Sequence, residues 1–330
     1  ATSQLQVDAA AVLLLDPHTQ MIEYAAGRGF RGHGLTRSRL HLGKGHAGRA
    51  ALEQRVVTVA NLQESRETFL REALIAGEDF VGYAAVPLLA KGQVKGVLEI
   101  YHRATLEFDR EWVQFLEALA GQAAIAIDNA TLVSDLQQAN LDLTLAYDTT
   151  IEGWSRALDM RDKETEGHSQ RVTELTMRLA QAMRLPEDEL PHVRRGALLH
   201  DIGKMGIPDS ILLKPGSLTP EEWEIMRRHP VYANDLLMPI PYLRRALDIP
   251  FCHHEKWDGT GYPQRLKGQD IPLAARIFAV ADVWDALTSD RPYRPAWTSR
   301  KARAYIREQS GTHFDPQVVS AFLRLVESAA

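Results

Sequence analysis

The sequence predicts a multidomain protein: an α/β domain with an antiparallel sheet and helices, then a long connecting helix, then an all-α helical domain. Three observations lead to this prediction. The first third contains short apolar runs separated by turns with Gly or Pro, which is the pattern of strands. Residues 112–161 contain no proline and only two glycines, and the last half shows helical periodicity without strand-like alternation. A length of 330 residues favours two domains.

Composition narrows the function classes. Hydrophobic residues at 45% and charged residues at 25% are typical of a globular protein, and the net charge of -5 argues against a general nucleic-acid binder. The longest apolar runs are far too short to span a bilayer, so we expect no membrane segment. The single cysteine, Cys252, fits a reducing compartment, and we expect a cytoplasmic protein. The chain begins with Ala rather than Met, so we expect it to be a piece of a longer protein.

The first third is interpreted as strands joined by turns. We predict strands at 7–15, 21–26, 56–59, 83–89 and 94–101, and a helix at 49–54. The last two strands are joined by a turn at 90–93, which makes them an antiparallel pair. An antiparallel sheet with helices on one side follows.

This order of elements resembles that of a GAF domain. The resemblance is carried by residues 8–12, the glycine-rich segment 43–48, and residues 85–88 and 96–100. It implies a sensory domain over residues 1–130. The helix that usually precedes the first strand is missing, so we expect this domain to be truncated at its N-terminus. The signature of a cyclic-nucleotide site and a cysteine for covalent bilin attachment are both missing from these residues.

One long helix, or two helices end to end, is predicted over residues 111–162. Leu132, Leu136, Ala139 and Leu143 recur at steps of three and four, and the spacing continues to Leu158, which is close to a heptad repeat. These residues form an apolar seam along one side of the helix. A seam that lies outside a compact core exposes apolar side chains to water unless another chain covers it, so we expect a homodimer through this linker helix. The alternative is a helix buried against its own domain. In a dimer, the helix would carry a signal from the first domain as a small rotation or change of register.

The last half contains acidic and histidine residues at spacings that suit metal binding. Glu164 and His168 share one face if a helix continues through Gly167. His200 and Asp201 follow an apolar helix, where the carboxylate can bridge two cations. Lys204, three residues further along, can then meet a phosphate oxygen. Taken alone, each pattern also fits an ordinary charged surface.

Further candidates follow in order. His229 ends a predicted helix that Pro230 stops. His253 and His254 are adjacent, and neighbouring residues on a helix point about 100° apart, so the pair suits two metals, or one metal and a phosphate, better than one ion. Asp282 lies in an otherwise apolar helix, where a carboxylate should be paired or bound to metal. A basic loop at 291–294 suits phosphate, because guanidinium groups match its oxygens.

Several of these motifs together resemble the HD-GYP family, a branch of the HD phosphohydrolases. The matching segments are 200–204, 214–219, 253–263, 281–289, 291–294 and 314–316, and the resemblance implies a catalytic domain over residues 148–330. Members hydrolyse cyclic di-GMP to pGpG and in some cases on to GMP. The resemblance therefore implies a phosphodiesterase regulated by the first domain, with cyclic di-GMP as its partner molecule.

The resemblance also implies the site residues. The implied metal ligands are Glu164, His168, His200, Asp201, His229, His253, His254 and Asp282. Asp201 and Lys204 are the implied catalytic residues, and the implied substrate-binding residues are Lys204, Arg291, Arg294 and Tyr262. Nitrogen and carboxylate ligands without thiolate suit iron or manganese, and we expect two or three divalent ions, with Glu164 typical of members that hold three.

Two alternatives stay open. Arg294 stands where the commonest family pattern has Lys, which leaves room for another cyclic dinucleotide such as cyclic GMP-AMP. A non-catalytic cyclic dinucleotide receptor or interaction module is the other alternative. We expect the Gly-Tyr-Pro loop at 261–263 to shape the site and to contact other signalling proteins.

Overall fold

The computed structural model describes residues 5–64, 69–162, 167–290 and 295–327. The chain forms two compact units, Ala1–Leu141 and Asp142–Ala330. One long helix begins in the first unit and ends in the second. Among the described residues, no helix has the length and apolar character that crossing a membrane requires.

The first unit is built on a six-stranded antiparallel sheet within its described residues. The strands are β1 (Ala9–Asp16), β2 (Met21–Arg28), β3 (Arg39–His41), β4 (Val57–Val59), β5 (Gly82–Ala90) and β6 (Gln93–His102), in the order β3-β2-β1-β6-β5-β4. Helix α1 (Gly45–Glu53) lies between β3 and β4 in the chain. The predicted strands are present, and β3 was missed because three residues are too few to show alternation.

Both faces of this sheet are covered. Ala9 and Ala11 of β1 pack in the same core as Ala47 of α1, whereas Ala10 packs on the other face with Leu116 of the long helix. The prediction that helices lie on one side of the sheet is therefore wrong. The physical reason is that β1, β5 and β6 are apolar at successive positions, so each face must be covered.

A buried polar network lies inside the first unit. Glu99 of β6 accepts hydrogen bonds from the guanidinium of Arg71 and from the hydroxyls of Tyr83 at 2.5 Å and Tyr101 at 3.0 Å. Arg71 also donates to Ser38 Oγ at 2.8 Å. The carboxylate is fully buried, and its pairing with Arg71 and two hydroxyls meets the requirement that a buried charge be compensated.

The long helix, α2 (Arg110–Asp162), has an apolar seam that is exposed in one stretch and buried in another. Leu132, Leu136 and Leu143 are exposed, with Leu136 at 71%. Ile151 and Leu158 are buried within the second unit, Ile151 against Leu198 and its neighbours. The alternative of a helix buried against its own domain thus applies to the stretch that contains Ile151 and Leu158, and pairing through the exposed stretch stays a prediction.

The second unit is helical throughout its described residues. Its α-helices are α3 (His168–Ala182), α4 (Leu190–Leu198), α5 (Asp209–Leu212), α6 (Pro220–Met226), α7 (His229–Leu237), α8 (Asp248–Cys252), α9 (Leu273–Thr288), α10 (Ser299–Glu308) and α11 (Pro316–Glu327), with a 3-10 helix at Ile202–Gly206. The core packs α9 against α3 and α11, with Phe278, Leu179 and Phe322 fully buried. Helix α9 is apolar nearly all round, which explains its central position.

Candidate metal centre

Two groups of ligand-type side chains meet in the second unit. One group consists of Asp201, His229, His253 and His254, and the other of His168, His200 and Asp282; within each group the ligand atoms lie within 4.8 Å of one another. Asp201 joins the groups, since its Oδ2 lies 3.1 Å from His200 Nε2 and its Oδ1 lies 3.2 Å from His229 Nε2. The structure thus brings together seven of the eight implied ligands. The eighth, Glu164, lies outside the described residues, as do Arg291 and Arg294.

His168 is the first residue of α3. Gly167 precedes it with φ of 73°, in the left-handed region that glycine adopts without strain. The expectation that a helix continues through Gly167 is therefore wrong, and the shared-face argument for Glu164 and His168 no longer holds. His168 instead faces α9, where its Nε2 lies 3.4 Å from Asp282 Oδ1.

His200 and Asp201 follow the end of α4, and the chain then tightens into the 3-10 helix at Ile202–Gly206. That helix packs directly on the start of α7. A Cβ on Gly203 would lie 1.8 Å from the carbonyl oxygen of His229, so only glycine fits. This close approach brings Asp201 and His229 together.

His229 begins a helix rather than ending one. The preceding helix α6 stops at Met226, and α7 starts at His229 with Pro230 in its first turn. The prediction that Pro230 stops a helix ending at His229 is wrong. The N–H groups in the first turn of a helix have no hydrogen-bond acceptor within the helix. Proline, which lacks an N–H, is therefore favoured there.

His253 and His254 leave the end of α8 side by side, with ring centroids 4.0 Å apart. Both rings fall in the group around Asp201. The expectation that this pair suits two metals, or one metal and a phosphate, better than one ion stays a prediction.

Three imidazoles are fixed in one tautomer by backbone carbonyls. Nδ1 of His200 lies 2.8 Å from the oxygen of Ala197, Nδ1 of His229 lies 2.9 Å from that of Met226, and Nδ1 of His253 lies 3.1 Å from that of Ile249. Carbonyls only accept, so each Nδ1 carries a proton, and in the neutral ring Nε2 then keeps its lone pair. This is the arrangement that presents Nε2 to a metal ion.

In His168, Nδ1 faces a carboxylate instead of a backbone carbonyl. Its Nδ1 lies 2.8 Å from Asp285 Oδ2, and Arg171 donates to both oxygens of Asp285 at 2.7 and 3.0 Å. Burial acts to raise the pKa of Asp285, but these two partners lower it to about 2. Sequence reasoning gave Asp285 no role. Its position three residues after Asp282 on an apolar helix was the available signal.

The electrostatics favour the neutral form of two imidazoles beside an ionised carboxylate, whereas for His200 burial is outweighed by Asp201, which raises the pKa of that imidazole. Burial and the neighbouring imidazoles hold the pKa of His254 well below its usual range, and burial also lowers that of His253. Burial opposes ionisation of Asp201, yet Lys204 and His200 hold its pKa well below normal. Neutral imidazole and ionised carboxylate are the forms that bind metal. The donor set of nitrogens and oxygens therefore fits divalent transition metals.

Lys204 lies at the edge of this cluster. Its Nζ is 2.8 Å from Asp201 Oδ2 and 3.0 Å from Asp162 Oδ2. The ammonium thus borders the carboxylate that joins the two groups. Asp162 is a second residue that sequence reasoning missed, because it ends the predicted linker helix and carried no motif of its own.

The Gly-Tyr-Pro loop closes over one side of the site. The ring of Tyr262 stacks on His254, with centroids 4.7 Å apart. Glu255, which is 2% exposed, holds the returning chain by accepting from the backbone N–H groups of Gln264, Arg265 and Leu266. Tyr262 is thereby placed as a wall of the site, next to one of the implied ligands.

A cavity of about 820 Å³ lies elsewhere, between α2, α3 and α4. Its lining includes Glu152, Met177 and Leu198 but none of the described implied ligands. This cavity therefore does not mark the candidate metal centre. The convergent ligand atoms do, because burying so many titratable groups together costs free energy unless they are paired or bound to metal.

Two family models match this chain. Residues 153–318 match the family model of the HD domain, and residues 1–128 match that of the GAF domain. The chain is 39% identical over 219 residues to the 3′3′-cGAMP-specific phosphodiesterase 2 of Vibrio cholerae, covering 66% of this chain and 40% of the relative. It is 41% identical over 218 residues to a cyclic di-GMP phosphodiesterase of Vibrio cholerae, covering 62% and 44% respectively.

A third relative is the cyclic di-GMP phosphodiesterase of Thermotoga maritima. The identity is 46% over 169 residues, which cover 51% of this chain and 46% of the relative. The chain thus spans less than half the length of each of these three relatives.

Proposed function

This chain belongs to the HD domain family, and from that premise we propose that it is a metal-dependent phosphodiesterase that hydrolyses cyclic di-GMP to pGpG. The family models also confirm the predicted fold class, a GAF domain followed by a helical HD domain. The observation that carries the proposal is the convergence of five imidazoles and two carboxylates in the two groups joined by Asp201.

We propose that the described ligands hold two divalent ions and that Glu164 would complete a third site. Iron or manganese fits this donor set best, because nitrogen and oxygen ligands occur without a thiolate. When bound, such ions activate water near neutral pH and stabilise the charge that develops on phosphoryl oxygens. Asp201 is suited to bridge them, since its two oxygens face different histidines.

The chain's own residues supply the rest of the reaction. Hydrolysis forms a bond between a water oxygen and phosphorus, breaks the bond to the 3′ oxygen, and passes a proton to that leaving oxygen. Lys204 provides a cation beside the cluster that can offset charge on the phosphoryl group. Arg291 and Arg294 would add phosphate contacts, and Tyr262 would bound the substrate on the side of His254. The reaction needs no serine or cysteine nucleophile.

Cyclic GMP-AMP is the second substrate to consider. A relative of similar identity is named for that dinucleotide, and Arg294 replaces the commoner lysine. The same metal centre would serve either substrate, since both contain the 3′–5′ phosphodiester. Selectivity would then lie in contacts outside the metal centre, such as those of Arg294.

We further propose that the GAF domain regulates turnover and that α2 pairs with a second copy of the chain. Leu132, Leu136 and Leu143 are exposed apolar residues at heptad-like spacing, the pattern of a coiled-coil seam. The pairing would be confined to the stretch before Ile151, which is buried in its own unit. Contacts of the Gly-Tyr-Pro loop with other signalling proteins remain part of the proposal. The free thiol of Cys252 supports a reducing compartment, and we propose the cytoplasm.

The test combines metal content with turnover on one anaerobically purified sample. We expect two or three iron or manganese ions per chain and conversion of cyclic di-GMP to pGpG, both lost or strongly reduced in Asp201→Ala. Asp235→Asn, an exposed carboxylate on α7, is the matched control and should keep both. A fully metallated protein that binds but does not cleave either dinucleotide would refute the enzyme in favour of a receptor. Faster turnover of cyclic GMP-AMP would reassign the substrate.

A further inference from the structure

The last two residues of α2 hold the segment that carries Lys204. Asp162 Oδ2 accepts from Lys204 Nζ at 3.0 Å, and the Asp162 side chain is only 3% exposed. Arg161 donates to the carbonyl oxygen of Lys204 at 3.2 Å and to that of Ile207 at 3.1 Å. Two neighbouring residues therefore bind both the ammonium and the backbone of the same short segment.

The ammonium of Lys204 lies between two carboxylates. Asp201 Oδ2 is 2.8 Å away and Asp162 Oδ2 is 3.0 Å away. A lysine ammonium is a point charge on a flexible four-carbon stem, so its position depends on the groups around it. Asp201 belongs to the implied metal cluster and has other partners in His200 and His229. Among the described residues, Asp162 belongs to neither group of ligand-type side chains, and its carboxylate contacts the lysine directly.

We propose that Asp162 and Arg161 are positioning residues for Lys204, so that the C-terminal end of α2 sets where this ammonium meets the scissile phosphodiester. The inference rests on the proposed function, in which Lys204 contacts the phosphoryl group. In this scheme Asp162 contacts neither substrate nor metal, and it acts on the reaction through the lysine.

This contact gives α2 a direct effect on rate. Misplacement of a catalytic group by about 1 Å can cost about 100-fold in rate. A movement of the end of α2 along its axis would carry Asp162 and Arg161 with it, because both are helical residues. Regulation through α2 would then act on the lysine while leaving the imidazoles in place.

A double-mutant cycle in the full chain tests the positioning role. Asp162→Asn should lower kcat for cyclic di-GMP about 10- to 100-fold, the usual cost of losing a group that orients a site residue, and change KM much less. Lys204→Ala should lower kcat at least as much. The double variant should match Lys204→Ala alone, because a residue that acts only through the lysine has no effect once the lysine is gone.

A second measurement reports on the lysine without turnover. Reductive methylation followed by peptide mass spectrometry should label Lys204 several-fold faster in Asp162→Asn than in the wild type, with Lys214 and Lys256 as internal references. Glu152→Gln is the matched control on the same helix, since it breaks only the exposed pair with Arg194 at 2.6 Å. It should leave kcat and labelling unchanged, and metal content should be equal in all these proteins.

The outcomes separate the two proposals. Unchanged labelling of Lys204 in Asp162→Asn, or effects on kcat that multiply in the double variant, would overturn the positioning role while leaving the phosphodiesterase intact. A wild type that turns over neither cyclic dinucleotide would refute the proposed function. The labelling result would still decide whether Asp162 holds the lysine.

Discussion

Nδ1 of His168 lies 2.8 Å from Oδ2 of Asp285, which places a buried carboxylate behind one of the implied metal ligands. Asp285 lies about one turn after Asp282 on α9, so a single helix contacts both nitrogens of the same imidazole. The carboxylate is held in turn by Arg171. This chain of contacts fixes both the tautomer and the orientation of the ring.

The first prediction concerns Asp285→Asn. The amide keeps the size of the side chain but loses the charge that orients His168, so metal affinity should fall about 10- to 100-fold. Titration of metal-free protein with Mn²⁺ against a chelating dye measures this. Asp235→Asn should bind as the wild type does. Equal affinity of Asp285→Asn and wild type would show that the carboxylate is not needed to present the ring.

The second prediction concerns the buried pair in the first unit. Glu99→Gln leaves Arg71 as an uncompensated buried charge, so the free energy of unfolding of this unit should fall by about 3–5 kcal/mol. Hydrogen exchange of β5 and β6 measures it. Glu23→Gln, which breaks the exposed pair with Arg39, should cost no more than about 1 kcal/mol. Equal costs for the two variants would contradict the role assigned to burial.

The third prediction is a pH dependence that arises from His46. Burial first, and then Arg49 and Arg71, hold the pKa of this imidazole below its usual range in the folded protein. Its contribution to stability is therefore fully present above the unfolded pKa of about 6.5 and is lost as pH falls toward the folded pKa. Urea unfolding of the first unit between pH 7.5 and 5 should show this loss.

His46→Gln removes the titrating group, so its stability should depend less on pH in the same range. His41→Gln, an exposed position on β3, is the matched control and should retain the wild-type pH dependence. Parallel pH profiles for His46→Gln and the wild type would mean that another group is responsible.

The fourth prediction tests pairing through α2. Replacing both Leu136 and Leu143 by Asp places charges on the exposed seam, so the molar mass from light scattering should fall from two chains to one. Gln137→Glu, on the same helix but off the seam, should leave the mass at two chains. A wild type that is already monomeric at micromolar concentration would exclude the coiled coil.

The motif resemblance identified some residues of the candidate metal centre and missed others. It selected seven residues that the structure brings together, although they come from separate helices and turns between residues 168 and 282. It did not select Asp285 or Asp162. Their importance comes from what they face, His168 and Lys204, and such contacts between distant segments leave no periodic signal in the chain.

The sequence by itself determined the order of the elements, the long helix and the identity of the ligand-type side chains. The elements depend on local periodicity, which can be read along the chain, whereas the set of ligand-type side chains was implied by the resemblance to a family. Tertiary structure decided the rest. Gly167 has a left-handed backbone conformation, so a helix does not continue through it to His168. Pro230 lies in the first turn of a helix instead of ending one. Glycine accepts positive or negative φ, and proline can either follow a helix or lie in the first turn of one, so the tertiary structure selects among conformations that the local sequence permits.

The same division explains the seam of α2. Its heptad-like spacing was visible in the sequence, yet spacing alone does not tell which stretch is covered by the chain itself. Ile151 is buried beneath Leu198, whereas Leu136 has no such cover and is exposed. Burial depends on what folds back onto a helix, and only the tertiary structure contains that information.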